Sequence, residues 1–207
     1  MTAGTVRAGT VTAGTVIRAP TGSRRQHQRV RRIVPVLGGA LSLYAIGACA
    51  MDVPAGYVSV ATLYGIPPTV LYAVGLAESR KTTPVGRRPW PWTLNVDGES
   101  RFYPSRRDAW TALQTHIRAG RTVDVGLMQV NWNWHSVKLV NAWRALDPYF
   151  NLRVGAQILR EQFDITGDWH SAIGRYHAPA NTPKGRANAQ KYRENVARLM
   201  KDLTHAS

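Results

Sequence analysis

Glu78 is the side chain whose position most invites chemistry. Leu71, Val74 and Glu78 recur at helical spacing, with Ala77 beside them, on a helix that Pro67-Pro68 would start. An acid on an apolar helix face is unusual, because burial disfavours the charged form and raises its pKa. A carboxyl held protonated near neutral pH is a general acid. The alternative is a helix-end glutamate that faces solvent. No His-x-Glu-x-x-His, Walker loop or Gly-x-Ser-x-Gly accompanies it, and His135, His170 and His177 lack metal-ligand spacing. The single cysteine, Cys49, excludes an intramolecular disulfide, a Cys-only zinc site and a Cys–Cys redox pair.

Three motifs in order carry a resemblance. Glu78-Ser79 at a helix end resembles the catalytic Glu-Ser pair of the soluble lytic transglycosylases. Gly126-Leu127-Met128-Gln129-Val130-Asn131 resembles their Gly-Leu-Met-Gln motif with the Asn that follows it, and Ala172-Ile173-Gly174-Arg175-Tyr176 resembles their late helical motif with a Tyr in the groove. The resemblance spans residues 57–200. It implies a compact helical lysozyme-like domain with a glycan-binding groove, all-α in class within the α+β lysozyme-like superfamily.

The implied reaction is cleavage of the β-1,4 bond between N-acetylmuramic acid and N-acetylglucosamine of peptidoglycan, leaving a 1,6-anhydromuramoyl end. Glu78 would serve as acid and then base, with no cofactor and no metal. Ser79 would orient Glu78 or bond near the muramoyl site, unless it merely caps the helix. Gly126 would let backbone approach the sugar. Met128 would lend an adaptable wall, or pack in the core. Gln129 and Asn131 would bond acetamido and hydroxyl groups. Tyr176 would point at Glu78 or the sugar, or pack in the core. Trp90, Trp92 and Trp132 are candidate sugar platforms.

A conventional glycosidase needs a second carboxylate about 5–9 Å from the first. Asp97, Glu99 and Asp124 are the acids in the intervening loops, and Asp97 and Asp124 read as turn or cap residues. Of these, Asp97 is the strongest objection to a one-acid site. A lysozyme-type hydrolase and a non-catalytic glycan-binding component of a secretion apparatus are the alternatives. The Pro- and Trp-rich stretch from Arg88 to Gly98 resembles that of specialised transglycosylases serving conjugation or type IV secretion machines, which makes an envelope-spanning complex an expected partner.

Helices must position these residues. The pattern predicts a short helix over Val58–Tyr64 ended near Gly65, and the Pro67-Pro68 helix. A third helix follows Ser105, with Asp108 completing a capping box and Trp110, Leu113 and Ile117 as its stripe; Gly120 stops it. A fourth begins at Asp147-Pro148, with Tyr149, Leu152, Ala156, Leu159 and Phe163 inward. Gly167-Asp168 restarts a helix to about Tyr176, and the last runs from about Asn188 to Leu203, with Tyr192, Val196, Leu199 and Leu203 inward. Residues 81–104, 121–132 and 178–187 read as loops or irregular segments, and no strand pair is convincing.

The 207 residues are 44% apolar, enough for one packed domain. Seven Trp and eight Tyr against three Phe favour rings with a polar edge, suited to sugars, bases or protein surfaces as well as to a core. Net charge is +15, yet residues 1–32 hold seven arginines and no acid; the remainder is +8. No dense Lys/Arg stripe or nucleic-acid module appears, so nucleic acid is not expected as a partner; an anionic surface fits the charge as well. Residues 1–32 read as a disordered basic leader and 33–50 as the apolar segment of an export signal, ending at Ala48-Cys49-Ala50. Residues 51–207 form the expected domain. This predicts a periplasmic protein, with lipidation at Cys49 or a retained anchor as the variants.

Overall fold

The computed structural model describes residues 53–84, 86–178 and 181–205. The expectations for residues 1–32 and 33–50, Cys49 among them, lie outside these.

The first helix, α1 (Ala55–Tyr64), ends at Gly65, whose left-handed φ of 62° lets the chain turn. The second, α2 (Pro68–Ser79), leaves at 116° to the first and carries Pro at its start. Every residue of α2 from Val70 to Leu76 is buried, so it is the central helix of the core. It shares one core with α6 (Pro148–Thr166), α7 (Trp169–His177) and α8 (Pro183–His205), of which α8 packs directly on it. Asp147 and Asp168 cap α6 and α7 by accepting the backbone N–H of Phe150 and Ser171. Consecutive packing of α2 on α8, α8 on α7, α7 on α6 and α6 on α1 encloses Leu71, Val74, Leu159, Ile173 and Val196. Each such side chain contributes roughly 1.5–3 kcal/mol by leaving water.

The third helix, α3 (Arg106–Arg118), is capped as the sequence indicates: Ser105 Oγ accepts from the Asp108 N–H and donates to the Asp108 carboxylate. Two short helices, α4 (Trp132–Leu139) and α5 (Ala142–Ala145), were not expected, although Asn131 and Asn141 cap them. The last helix begins at Pro183 rather than near Asn188. Tyr149 is half exposed, not part of the inward stripe; Leu152, Ala156 and Leu159 are buried.

The all-α expectation holds only approximately: the core is helical, but the loops contain six short strands among the described residues. Strands β1 (Arg80–Thr83) and β2 (Gly86–Pro89) form a hairpin. A second, antiparallel sheet has the order β4-β3-β5-β6, from β3 (Thr93–Val96), β4 (Glu99–Phe102), β5 (Val123–Val125) and β6 (Val130–Asn131). The strands are two to four residues long, and β4 is wholly exposed, so period-two alternation is scarcely visible. One signal was available. Asp97-Gly98, with φ of 51° and 94°, is the two-residue hairpin turn that joins β3 to β4.

One buried amide ties sheet to helices. Asn151 of α6 is 1% exposed. Its Nδ2 donates to the carbonyls of Val125 (2.9 Å) and Ala145 (3.0 Å), and its Oδ1 accepts from the Met128 N–H (2.9 Å). Gly126 adopts φ +82°, and a Cβ there would lie 2.6 Å from the Asn151 side chain. Gly126→Ala therefore combines left-handed strain with overpacking, and should cost about 2–4 kcal/mol of stability, read by denaturant unfolding. A loss under about 1 kcal/mol would show that the turn is not so constrained.

Candidate active site

The last turn of α2 presents Glu78, and the neighbouring elements set its chemistry. The side chain is partly buried. Tyr192 of α8 donates its hydroxyl to Glu78 Oε1 at 2.6 Å. The outer layer is His177, which stacks on the Tyr192 ring at 4.3 Å and 2°. Burial pushes the Glu78 carboxyl up to about 8; the Tyr192 hydrogen bond pulls against this, and the negative charge of Asp124 adds to it. Burial also holds the Tyr192 and Tyr176 hydroxyls well above their ordinary value, reinforced by the Glu78 charge, so both stay neutral donors. One turn before Ser79, the Tyr57 hydroxyl lies 2.6 Å from where a Cβ at Gly75 would be, so only glycine fits there.

The segment 126–131 is a tight turn and a short strand, and most of its polar groups hold the site together. Ser79, 1% exposed, donates Oγ to the Leu127 carbonyl at 2.7 Å. Tyr176 donates its hydroxyl to the Met128 carbonyl at 2.6 Å. Two residues expected near the sugar thus bind the turn instead. Met128 is fully buried and packs against Gly155, where a Cβ would lie 2.4 Å from Met128 Cβ; it offers no wall to a sugar. Gly126 gives close approach to Asn151. Gln129, at φ +44°, spends its Nε2 on the carbonyls of Gly126 and Thr93. Asn131 caps α4 through Oδ1 and donates Nδ2 to Asp124 Oδ1 at 2.7 Å.

The tryptophans are divided. Trp90 adjoins the end of α2 through its N–H to the Ser79 carbonyl, but Lys81 Nζ covers its ring at 4.1 Å and Trp92 meets it edge-on. Trp92 is packed against the core with its Nε1 unpartnered. Trp132 lines a shallow cavity with Ile117 and Val140. Asp97 is a turn residue, exposed and paired with Arg121 at 2.5 Å, and the bonds from Arg121 hold its carboxyl below the usual range. Asp124 is neither a turn nor a cap residue: it lies within β5, partly buried, and its charge reaches Glu78 and Tyr176. Among the described residues no group of three His, Cys, Asp or Glu is placed to hold a metal ion.

Sequence reasoning missed Tyr192, His177 and Asn151. The stripe with Val196, Leu199 and Leu203 predicts only a core role for Tyr192. Its hydroxyl was the available signal, since a buried phenol seeks a partner. Asn151, in a helix interior between apolar positions, gave the same kind of hint.

The raised carboxyl has a measurable consequence for stability. A folded-state pKa above the unfolded value means that Glu78 favours folding fully below about 4.5, and that this contribution is lost as pH rises through about 8. Glu78→Gln removes the titration. The melting temperature of Glu78→Gln minus that of the wild type should therefore grow between pH 5 and pH 8.5, by the equivalent of a few kcal/mol. A difference independent of pH would mean that the carboxyl is not perturbed.

Residues 96–199 match the family described as Transglycosylase SLT domain. No curated protein and no solved structure matches the chain. The matched stretch holds the turn 126–129, Tyr176 and Tyr192, and it begins after Glu78. The bonds from Ser79 to Leu127 and from Tyr192 to Glu78 join the acid to it. The match covers half of the chain, so this protein belongs to the SLT transglycosylase family and acts as a lytic-transglycosylase-type enzyme on the glycan strands of peptidoglycan.

Proposed function

We propose that the enzyme cleaves the β-1,4 bond between N-acetylmuramic acid and N-acetylglucosamine without water, leaving 1,6-anhydromuramoyl ends. The observation that carries this is the Glu78 carboxyl in the last turn of a buried helix, bonded by the Tyr192 hydroxyl at 2.6 Å, where burial pushes it up to about 8. At neutral pH Glu78 is largely protonated and can donate to the glycosidic oxygen. The resulting carboxylate is stabilised by the Tyr192 hydroxyl and takes the proton of the C6 hydroxyl as that oxygen closes on C1. Because the C6 hydroxyl belongs to the same sugar, the step gains the high effective molarity of an intramolecular attack.

The mass of the products tests this reading. The purified chain acting on peptidoglycan should release muropeptides with anhydro ends, each lighter by one water than the reducing-end species. Glu78→Gln should lower release by at least about 1000-fold while the fold is retained. Reducing ends alone would make the enzyme a hydrolase.

The setting is proposed from the sequence. The Arg-rich start followed by the apolar run 33–50 suits export to the periplasm, and the Pro- and Trp-rich stretch from Arg88 to Gly98 suits an enzyme that opens the wall for a conjugation or secretion complex. Cell fractionation with N-terminal sequencing should find the chain outside the cytoplasm, cut after Ala50. A full-length cytoplasmic product would overturn the export reading.

A further inference from the structure

We propose that the surface formed by α4 and α5 docks on a bilayer of anionic lipid, with Trp134, Val137 and Val140 entering the headgroup layer and the arginines beside them meeting its phosphates. The cleavage chemistry at Glu78 does not require this surface, so the two readings stand or fall separately.

The short helix α4 sends most of its apolar bulk away from the core. Its buried residue is Leu139. Trp134 is 84% exposed, Val137 92% and Val140 58%, and they recur at intervals of three along the chain. Trp143 of α5 is exposed as well. The surface is continuous: Val140, Asn141 and Ala142 line a shallow cavity with Ile117 and Trp132, and Asn141 also lines an adjoining cavity with Trp143. Single exposed apolar residues are ordinary, but several on one short stretch mark a surface that meets a partner or a membrane.

The backbone is bent to present one of them. Val140 has φ 67° and ψ −60°, and the Asn141 N–H donates to the Leu139 carbonyl at 2.8 Å. This is the strained form of the three-residue turn. A β-branched side chain suits a left-handed φ poorly, and glycine would relieve it. The chain instead keeps an exposed valine there, outside the core. Strain of this kind persists where the position has a use.

Charge selects the occupant. Between Asp124 and Asp147 the chain has no acid. Arg118 lines the cavity that holds Val140, and Arg144 and Arg153 line the one that holds Trp143. None of these three arginines pairs with a carboxylate among the described residues. The acids at the margin are engaged: Asp147 pairs with Arg106 and caps α6, and Glu161 pairs with Lys138. The result is a set of projecting apolar groups with a positive border. A protein partner would need a cleft shaped to these projections, whereas a bilayer receives them without one. Tryptophan sits well at the boundary of lipid and water, and unpaired arginines are drawn to anionic headgroups.

The test places an environment-sensitive fluorophore on this surface in the full chain. Cys49→Ser removes the native thiol, and Val137→Cys takes the label. A second chain carries the label at Asn188→Cys, an exposed position on α8. This reference is needed because the Arg-rich start of the chain attracts anionic vesicles on its own. On vesicles of phosphatidylglycerol and phosphatidylcholine in equal parts, the Val137 label should shift to the blue and the Asn188 label should not. Vesicles of phosphatidylcholine alone should leave both unchanged. Arg118→Gln with Arg144→Gln should raise the lipid concentration for half the shift about tenfold or more. The proposal is overturned by a Val137 label that keeps its emission in water, which would leave the surface to a protein partner. It is equally overturned by a shift no larger than that of the Asn188 label, by an equal shift on both kinds of vesicle, or by a folded arginine variant that binds as before. Should that variant unfold, the lipid comparison decides alone.

Discussion

The site depends on one uncharged side chain that meets three backbone groups in a dry interior. Asn151 stands on α6 and bonds Val125, Met128 and Ala145. An amide suits the task because it donates twice and accepts without carrying charge, so burial costs no ionic desolvation. Each backbone group it satisfies would otherwise cost about 1–3 kcal/mol. The turn at 126–129 is thereby clamped from below by α6. Ser79 and Tyr176 clamp it from α2 and α7. The apparent sugar-binding motif is thus mainly a junction at which a sheet and three helices are registered to one another.

That registration gives Glu78 its character. A carboxyl at the end of a helix would ordinarily be ionised at neutral pH. Here three phenols, Tyr57, Tyr176 and Tyr192, stand near the last turns of α2, and their bulk withholds water while Tyr192 supplies one directed donor. Two opposing influences fix the acidity. Burial and the Asp124 charge favour the protonated form; the Tyr192 bond favours the anion. Such opposition suits a group that must first lose a proton and then regain one, since neither state is stabilised out of reach of the other.

The helical frame was legible because its signals are local. Ser105, Asp147 and Asp168 cap as their types predict, and the stripe Tyr192, Val196, Leu199 and Leu203 is buried. Glu78 was legible because an acid broke an apolar pattern. The strands were not, since segments of two to four residues with solvent on one or both faces leave too little alternation to read. The roles of Ser79, Gly126, Gln129 and Asn131 were not legible either. An amide or hydroxyl announces that it will form hydrogen bonds, but the choice between sugar and backbone is made by tertiary approach, here of Asn151 and the residue 127 and 128 carbonyls. Asp124 was misjudged for the same reason, because nothing local places it in a strand whose other faces are buried.

The bond between Tyr192 and Glu78 joins residues 114 positions apart. The acid is made early on the ribosome and its tuning partner late. Until α8 docks on α2, Glu78 lacks both the Tyr192 hydroxyl and the cover that α8 gives to the end of its helix. The catalyst is therefore armed only by completion of the tertiary fold. A chain still being synthesised lacks that bond and becomes able to cut a glycan strand only once it has finished folding.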